Sequence, residues 1–154
     1  MTRKLTGGCQ CGHVRYEITG APLTFYICHC TECQKQSSSA FGMSMTVRRA
    51  ETRIMQGEMK IWQRPTDSGN RLSCYFCPEC GTRLFHARSG TSEIWNLKAG
   101  SLDDTSWLQP AGHIWTKSAQ KWVHIPEHTL NYEAQPETKD ALGAAWAKQQ
   151  GGAD

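Results

Sequence analysis

The stretch Arg71-Leu72-Ser73-Cys74-Tyr75-Phe76-Cys77-Pro78-Glu79-Cys80-Gly81-Thr82-Arg83-Leu84-Phe85-His86-Ala87 sets two strand-like runs, 71–76 and 82–87, on either side of a cysteine cluster. Two thiolates three residues apart around a tight turn can grip one tetrahedral ion, and Gly81 tolerates the positive φ such a turn requires. This is half of a metal site. Cys9-Gln10-Cys11, flanked by Gly8 and Gly12, supplies the other half if its segment is extended, because residues i and i+2 of a strand point to one face. Four thiolates, from Cys9, Cys11, Cys77 and Cys80, make a closed site with no place for substrate. Its role would be to tie the chain start to its middle and to lend folding energy.

The flanking sequence extends the β reading. Val14, Tyr16 and Ile18 alternate with Arg15, Glu17 and Thr19, the period of a half-buried strand, and Gly20-Ala21-Pro22 ends the run. Residues 23–30 read as a second strand. Phe41, Met43, Met45 and Val47 alternate again, 54–56 and 59–63 flank Gly57, 65–70 is a turn, and 92–98 follows Ser89-Gly90. A mainly β meander of short strands is the simplest reading. Two places look helical. Thr31 and Gln34 are spaced to cap a helix start reciprocally, and Leu142, Ala145 and Trp146 share a face within 137–150, between Pro136 and Gly151-Gly152. The Gly151-Gly152-Ala153-Asp154 tail is expected to fray. Residues 101–135 carry Trp107, Trp115 and Trp122 without a clear period.

At 154 residues the chain has the length of one domain, 1–154, with a core expected over 5–135 and a C-terminal helix over about 137–150. Hydrophobic residues at 38% and charged residues at 20% argue against a disordered chain or a coiled coil. The 17 basic residues are scattered and the net charge is only +3, so nothing resembles a nucleic-acid-binding stripe. No stretch approaches the ~18 apolar residues of a membrane span, and the start lacks the apolar core of a signal peptide, which points to the cytoplasm.

Eight cysteines in such a chain more often bind metal than form disulfides in a reducing compartment; the rival reading, a four-disulfide scaffold, needs an oxidising one. The cluster Cys28-His29-Cys30-Thr31-Glu32-Cys33 differs from the first. If 23–30 is a strand, Cys28 and Cys30 face one way, and Cys33, one turn into the helix, can swing back beside them. The helix start also favours a thiolate at Cys33. Three protein ligands and one open position are the arrangement of catalytic zinc, and three thiolates suit a sulfur substrate better than making hydroxide. The alternative is a redox or buried patch, since Cys30-x-x-Cys33 also has thioredoxin-type spacing. Cys74 is either a small buried residue or a fourth ligand closing this second site.

Together, Gly7-Gly8-Cys9-Gln10-Cys11-Gly12, Cys28-His29-Cys30-Thr31-Glu32-Cys33, the Ser37 to Phe41 segment and Phe76-Cys77-Pro78-Glu79-Cys80-Gly81-Thr82 resemble the glutathione-dependent formaldehyde-activating family, which includes centromere protein V-like proteins. Gly100-Ser101-Leu102-Asp103-Asp104 and His113-Ile114-Trp115 extend the resemblance, which covers most of residues 5–125. It implies coiled antiparallel sheets around a zinc-ribbon-like site, similar to B-type methionine sulfoxide reductases. It also implies two zinc ions, a structural one on Cys9, Cys11, Cys77 and Cys80 and a catalytic one on Cys28, Cys30 and Cys33. The implied activity is that of a carbon–sulfur lyase interconverting glutathione plus formaldehyde and S-hydroxymethylglutathione. The chemistry needs a proton donor for the forming alkoxide, and His29, Ser37 to Ser39 and His113 are the candidates. A reading from another class is a non-catalytic zinc module whose Trp-rich stretch docks a protein; a third is a thiol carrier or sensor.

Overall fold

The computed structural model describes residues 3–90 and 92–151. Its elements are β1 (Leu5–Gly8), β2 (Arg15–Ile18), β3 (Thr24–Cys28), α1 (Thr31–Ser37), β4 (Gly42–Arg48), β5 (Thr52–Gln56), β6 (Lys60–Pro65), β7 (Arg71–Phe76), β8 (Arg83–Arg88), β9 (Ile94–Lys98), β10 (Gly112–Ile114), β11 (Leu130–Asn131) and α2 (Asp140–Gly151). The fold is mainly β. The chain divides into two compact units, Met1–Pro22 with Thr46–Trp107, and Leu23–Met45 with Leu108–Asp154.

In the first unit, β2 carries the alternation read from sequence and sits between β1 and β5, both antiparallel to it. Tyr16 is buried, meets the Phe85 ring edge-on at 5.1 Å and shares a 2.8 Å hydrogen bond with the Ser101 hydroxyl. Gly7 faces Tyr16 across the ladder, and a Cβ there would run into the Tyr16 phenol and the Ser101 carbonyl. The strands β6 to β9 form an antiparallel meander. One of its faces supplies Phe85, Trp95 and Leu97 to the core. β6 runs through Pro65, where the sequence had suggested a turn. It is an edge strand, where a residue without an N–H is tolerated.

In the second unit, β10 pairs in parallel with β3, Ile114 opposite Cys28, and with β11, Gly112 opposite Leu130. The face predicted for the C-terminal helix packs as expected. Leu142 and Trp146 are buried, and Trp146 meets Phe25 of β3 edge-on at 6.0 Å. α2 begins at Asp140 rather than 137, because the Thr138 hydroxyl accepts the Asp140 amide and turns the chain there. Gly151 closes this helix, and the rest of the tail expected to fray, residues 152–154, lies outside the described residues.

Two local readings are corrected. β3 stops at Cys28, two residues short of the strand expected over 23–30, because Cys30 turns to cap α1. The cap is not a Thr31–Gln34 pair. Thr31 is already helical, the Cys30 sulfur accepts the Cys33 amide at 3.3 Å, and the Gln34 amide donates to the carbonyls of His29 and Ser118 at 2.8 and 2.9 Å.

Candidate metal centres

Cys9 and Cys11 sit in the turn after β1 rather than in a strand. The Gly12 amide donates to the Cys9 carbonyl at 3.1 Å, the Val14 amide to the Cys9 sulfur at 3.1 Å, and Gly12 takes φ +82°. Cys77 and Cys80 occupy a second tight turn between β7 and β8. There the amides of Glu79 and Cys80 point at the Cys77 sulfur at 3.3 and 3.5 Å, and Gly81, at φ +79°, donates to the Cys77 carbonyl at 2.9 Å. The glycines are needed because an L side chain disfavours that backbone region. The four sulfurs lie within 4.8 Å of one another, with Cys9 to Cys11 at 3.6 Å and Cys11 to Cys77 at 3.8 Å.

A tetrahedron with zinc–sulfur bonds of about 2.3 Å has edges of about 3.8 Å, so the two measured separations fit such an ion. The protonation pattern fits it too. The Thr82 hydroxyl, then the amides of Thr82 and Cys11, draw the Cys80 thiol down to about 5. Cys11 is pushed up to about 12: although the His13 amide favours its thiolate, partial desolvation and the sulfurs of Cys80, Cys9 and Cys77 outweigh it. Thiols this close hold protons unevenly, and only a shared cation lets all four ionise. Thr82 is a member the sequence reading missed; its hydroxyl also accepts the Gln10 amide at 3.1 Å and so links the two turns.

The second group is smaller. Cys28 ends β3, Cys30 caps α1 and Cys33 lies in its first turn, and their sulfurs also lie within 4.8 Å of one another. The thiols of Cys30 and Cys33 beside it push Cys28 well above the ordinary thiol range, while donation from Cys28 and then Cys33 draws Cys30 down to about 2. Neither group includes Cys74, which is fully buried on β7. The eight cysteines, all free, fall into groups of four and three with Cys74 apart, a grouping that does not fit the four pairs of a four-disulfide scaffold.

Gly42 was also unforeseen. A Cβ there would stand 3.1 Å from the Cys33 Cβ and 3.2 Å from its sulfur, so this glycine keeps the room that Cys33 uses. Of the proton-donor candidates, Ser38 and Ser39 line a cleft beside α1, whereas Ser37, His29 and His113 make hydrogen bonds of their own. The Ser37 hydroxyl donates to the Cys33 carbonyl at 2.7 Å and reaches that of Phe41 at 3.1 Å, and His29 and His113 are buried against each other with 2.9 Å between Nε2 and Nδ1. Along α1 runs a cleft of about 480 Å³ lined by Gln34, Lys35, Ser38, Ser39, Gln120 and Trp122. Trp122 is 76% exposed, and its indole N–H donates to the Gln120 side chain at 2.7 Å.

Fold and sites together define a mainly β protein with two thiol clusters able to hold metal ions. Residues 4–118 match the family described as glutathione-dependent formaldehyde-activating enzyme, and the chain belongs to that family. The crystal structure of a Rhodobacter sphaeroides protein, a Northeast Structural Genomics target, is similar at a TM-score of 0.51 and 22% identity, covering 68% of this chain and 91% of that one. That likeness is one of fold. No helix among the described residues is long and apolar enough to cross a membrane.

Proposed function

We propose that the protein is a zinc-dependent carbon–sulfur lyase that joins a small-molecule thiol such as glutathione to an aldehyde such as formaldehyde, and cleaves the adduct. The observation that carries the reading is the convergence of three sulfurs, those of Cys28, Cys30 and Cys33, beside a separate group of four. Four ligands complete a structural site, whereas three match a catalytic one whose remaining ligand comes from substrate or solvent. Cys9, Cys11, Cys77 and Cys80 would hold a structural ion, and Cys28, Cys30 and Cys33 the ion that meets the substrate sulfur. Zinc, when bound, supplies a Lewis acid that stabilises the thiolate form of a substrate thiol at neutral pH.

The reaction is an addition without change of oxidation state. The substrate S–H bond breaks and its proton passes to water. The sulfur lone pair forms the C–S bond, the carbonyl π pair moves to oxygen, and that oxygen takes a proton from water; the reverse steps cleave the adduct. Water serves at both points in this reading, since the Ser37 hydroxyl already meets backbone carbonyls and the facing nitrogens of His29 and His113 meet each other. The amide that Gln34 gives to His29 holds α1 against the end of β3, and so keeps Cys30 and Cys33 beside Cys28. The cleft along α1 would take the peptide part of the thiol, with the Trp122 ring as one wall. Clustered thiols of this kind suit a reducing compartment, and a cytoplasmic location belongs to this reading.

The test is exchange NMR of glutathione and formaldehyde with the metal-replete protein. Acceleration over the spontaneous reaction, lost in Cys30→Ser together with one of two zinc ions while the fold remains, supports the assignment. No acceleration with two ions bound would overturn it.

A further inference from the structure

Trp122 is exposed, yet its one polar atom is tied down. The indole N–H donates to Gln120 Oε1 at 2.7 Å, Gln120 Nε2 donates to Gln34 Oε1 at 3.2 Å, and Gln34 Nε2 donates to the carbonyls of His29 and Ser118 at 2.8 and 2.9 Å. The direction of every link is fixed by the ends of the row. An indole nitrogen can only donate and a backbone carbonyl can only accept, so neither side-chain amide can turn over without setting like against like. Hydrogen bonds in such a row polarise one another and strengthen together.

The two ends have different surroundings. At the outer end, Trp122 and Gln120 share a tight turn, closed by the Val123 amide on the Gln120 carbonyl at 3.0 Å, and both line the cleft along α1. At the inner end lies the peptide that joins His29 to Cys30. The His29 carbonyl takes the Gln34 side chain, the His29 N–H donates to the Ile114 carbonyl at 3.0 Å, and the Cys30 carbonyl accepts the Gln34 backbone amide at 3.0 Å. Cys30 brings one sulfur to the smaller thiol group and caps the helix that presents Cys33. Among the described residues, the non-glycine positions at positive φ both adjoin this arrangement. Ser38, at φ +49°, ends α1 and lines the cleft, and Trp115, at φ +58°, opens the short helical turn Thr116–Ser118 that delivers the Ser118 carbonyl to Gln34. Such backbone costs free energy and persists where the surrounding contacts hold it, so the cleft wall and the Ser118 carbonyl are set rather than adjustable.

We propose that Gln120 is a positioning residue that couples the cleft to the smaller thiol group: a ligand seated against the Trp122 ring shifts the row Trp122–Gln120–Gln34 and, through it, the His29–Cys30 peptide that sets the Cys30 sulfur. This rests on the reading of the cleft as the seat of the thiol's non-reacting part. Contacts remote from the reacting sulfur then serve to place the cysteines, the general way in which binding energy away from the reacting atoms favours a reaction. A thiol too small to fill the cleft goes without that help.

The probe is S-methylglutathione, which keeps the peptide part of glutathione but has no S–H to react, so the result does not depend on turnover. Nitrogen-15 NMR of the full chain with zinc bound follows the Trp122 indole, the side-chain amides of Gln34 and Gln120, and the backbone amides of His29 and Cys30 as the probe is added. Saturable shifts at all of them, with one dissociation constant, are expected. In Gln120→Met, which fills similar space without the hydrogen bonds, the Trp122 indole should still respond while the His29 and Cys30 responses are lost. Trp122→Phe, at an exposed position that the fold does not need, should keep the ring wall and lose the same two responses. His29 and Cys30 shifts of parental size in either variant, or an unresponsive Trp122 indole in the parent, would overturn the proposal. The lyase reading is decided separately, by the exchange of glutathione with formaldehyde.

Discussion

The imidazoles of His29 and His113 stack at an interplanar angle of 19° and share one hydrogen bond of 2.9 Å between His29 Nε2 and His113 Nδ1, with both rings buried. Burial lowers both pKa values, His113 to about 4, so near pH 7 both rings are neutral and one donates to the other. His29 Nδ1 has no hydrogen-bond partner among the described residues. His113→Ala therefore leaves a second nitrogen of His29 unsatisfied, in the residue between two cysteines of the smaller cluster. It should cost about 1–3 kcal/mol in urea unfolding, with an unchanged denaturant slope. A cost near zero would show that water reaches the pocket.

The two cysteine groups should respond differently to loss of one sulfur. Cys77 is fully buried and takes amide hydrogen bonds from Glu79 and Cys80, in a turn that faces the turn of Cys9 and Cys11. Cys77→Ser should release one zinc ion and lower the unfolding temperature sharply, because binding energy at a structural site is folding energy. Cys30→Ser should release one ion with a much smaller change, since a serine hydroxyl can cap α1 in place of the Cys30 sulfur. Metal analysis alongside calorimetry reads both outcomes; equal thermal losses would make both sites structural.

Gly42 allows a finer probe of the smaller group. A methyl at 42 would press on the Cys33 Cβ and sulfur from 3.1 and 3.2 Å, tight enough to displace them by a few tenths of an ångström. Gly42→Ala should weaken metal binding at Cys28, Cys30 and Cys33 by about tenfold, the low end of what a disturbed supporting shell costs, and leave the four-sulfur site untouched. Competition with a zinc-binding dye measures the two affinities separately.

Spacing made both cysteine groups legible, because side chains two or three residues apart around a turn or a helix start fall close together in space. Period-two alternation made β2 and β4 legible, and the runs flanking the cysteine cluster placed β7 to the residue and β8 nearly so. What escaped was set by distant partners. β10 and β11 are short and gain their place by parallel pairing with β3 and with each other, which no local pattern encodes. Thr31 and Gln34 have the composition of a capping box, yet the Cys30 sulfur takes the amide and Gln34 turns to His29 and Ser118, so tertiary partners overrode a local preference. Trp62, Cys74, His86 and Asn96 come from four strands, and only the register sets them side by side.

The C-terminal helix should matter to the smaller cluster by packing on β3. Trp146 is buried against Phe25, and Phe25 lies on β3, the strand that ends in Cys28. Trp146→Ala removes a large ring from this contact and should destabilise the protein by about 3–5 kcal/mol. In a protein that still folds, proteolysis should start in α2. A loss below about 1 kcal/mol would mean that the cavity collapses and that α2 does not brace β3.

His86 should leave its mark on acid stability. In the folded protein its pKa is pushed down to about 2 from 6.5, by burial and then by the charges of Lys98, Arg83 and Arg64. The unfolded chain then binds a proton that the folded chain refuses over the range between these values. Stability therefore falls as pH drops below about 6.5, and the full contribution is present only above it. A single site of this kind steepens the loss by at most about 1.4 kcal/mol per pH unit. His86→Gln keeps an acceptor for Arg83 but cannot titrate. Urea unfolding at about pH 7, 6 and 5 should give a shallower acid slope for this variant than for the parent, whatever its stability near pH 7. Parallel slopes would mean that the imidazole picks up its proton without unfolding, and that the cations around it do not keep it neutral.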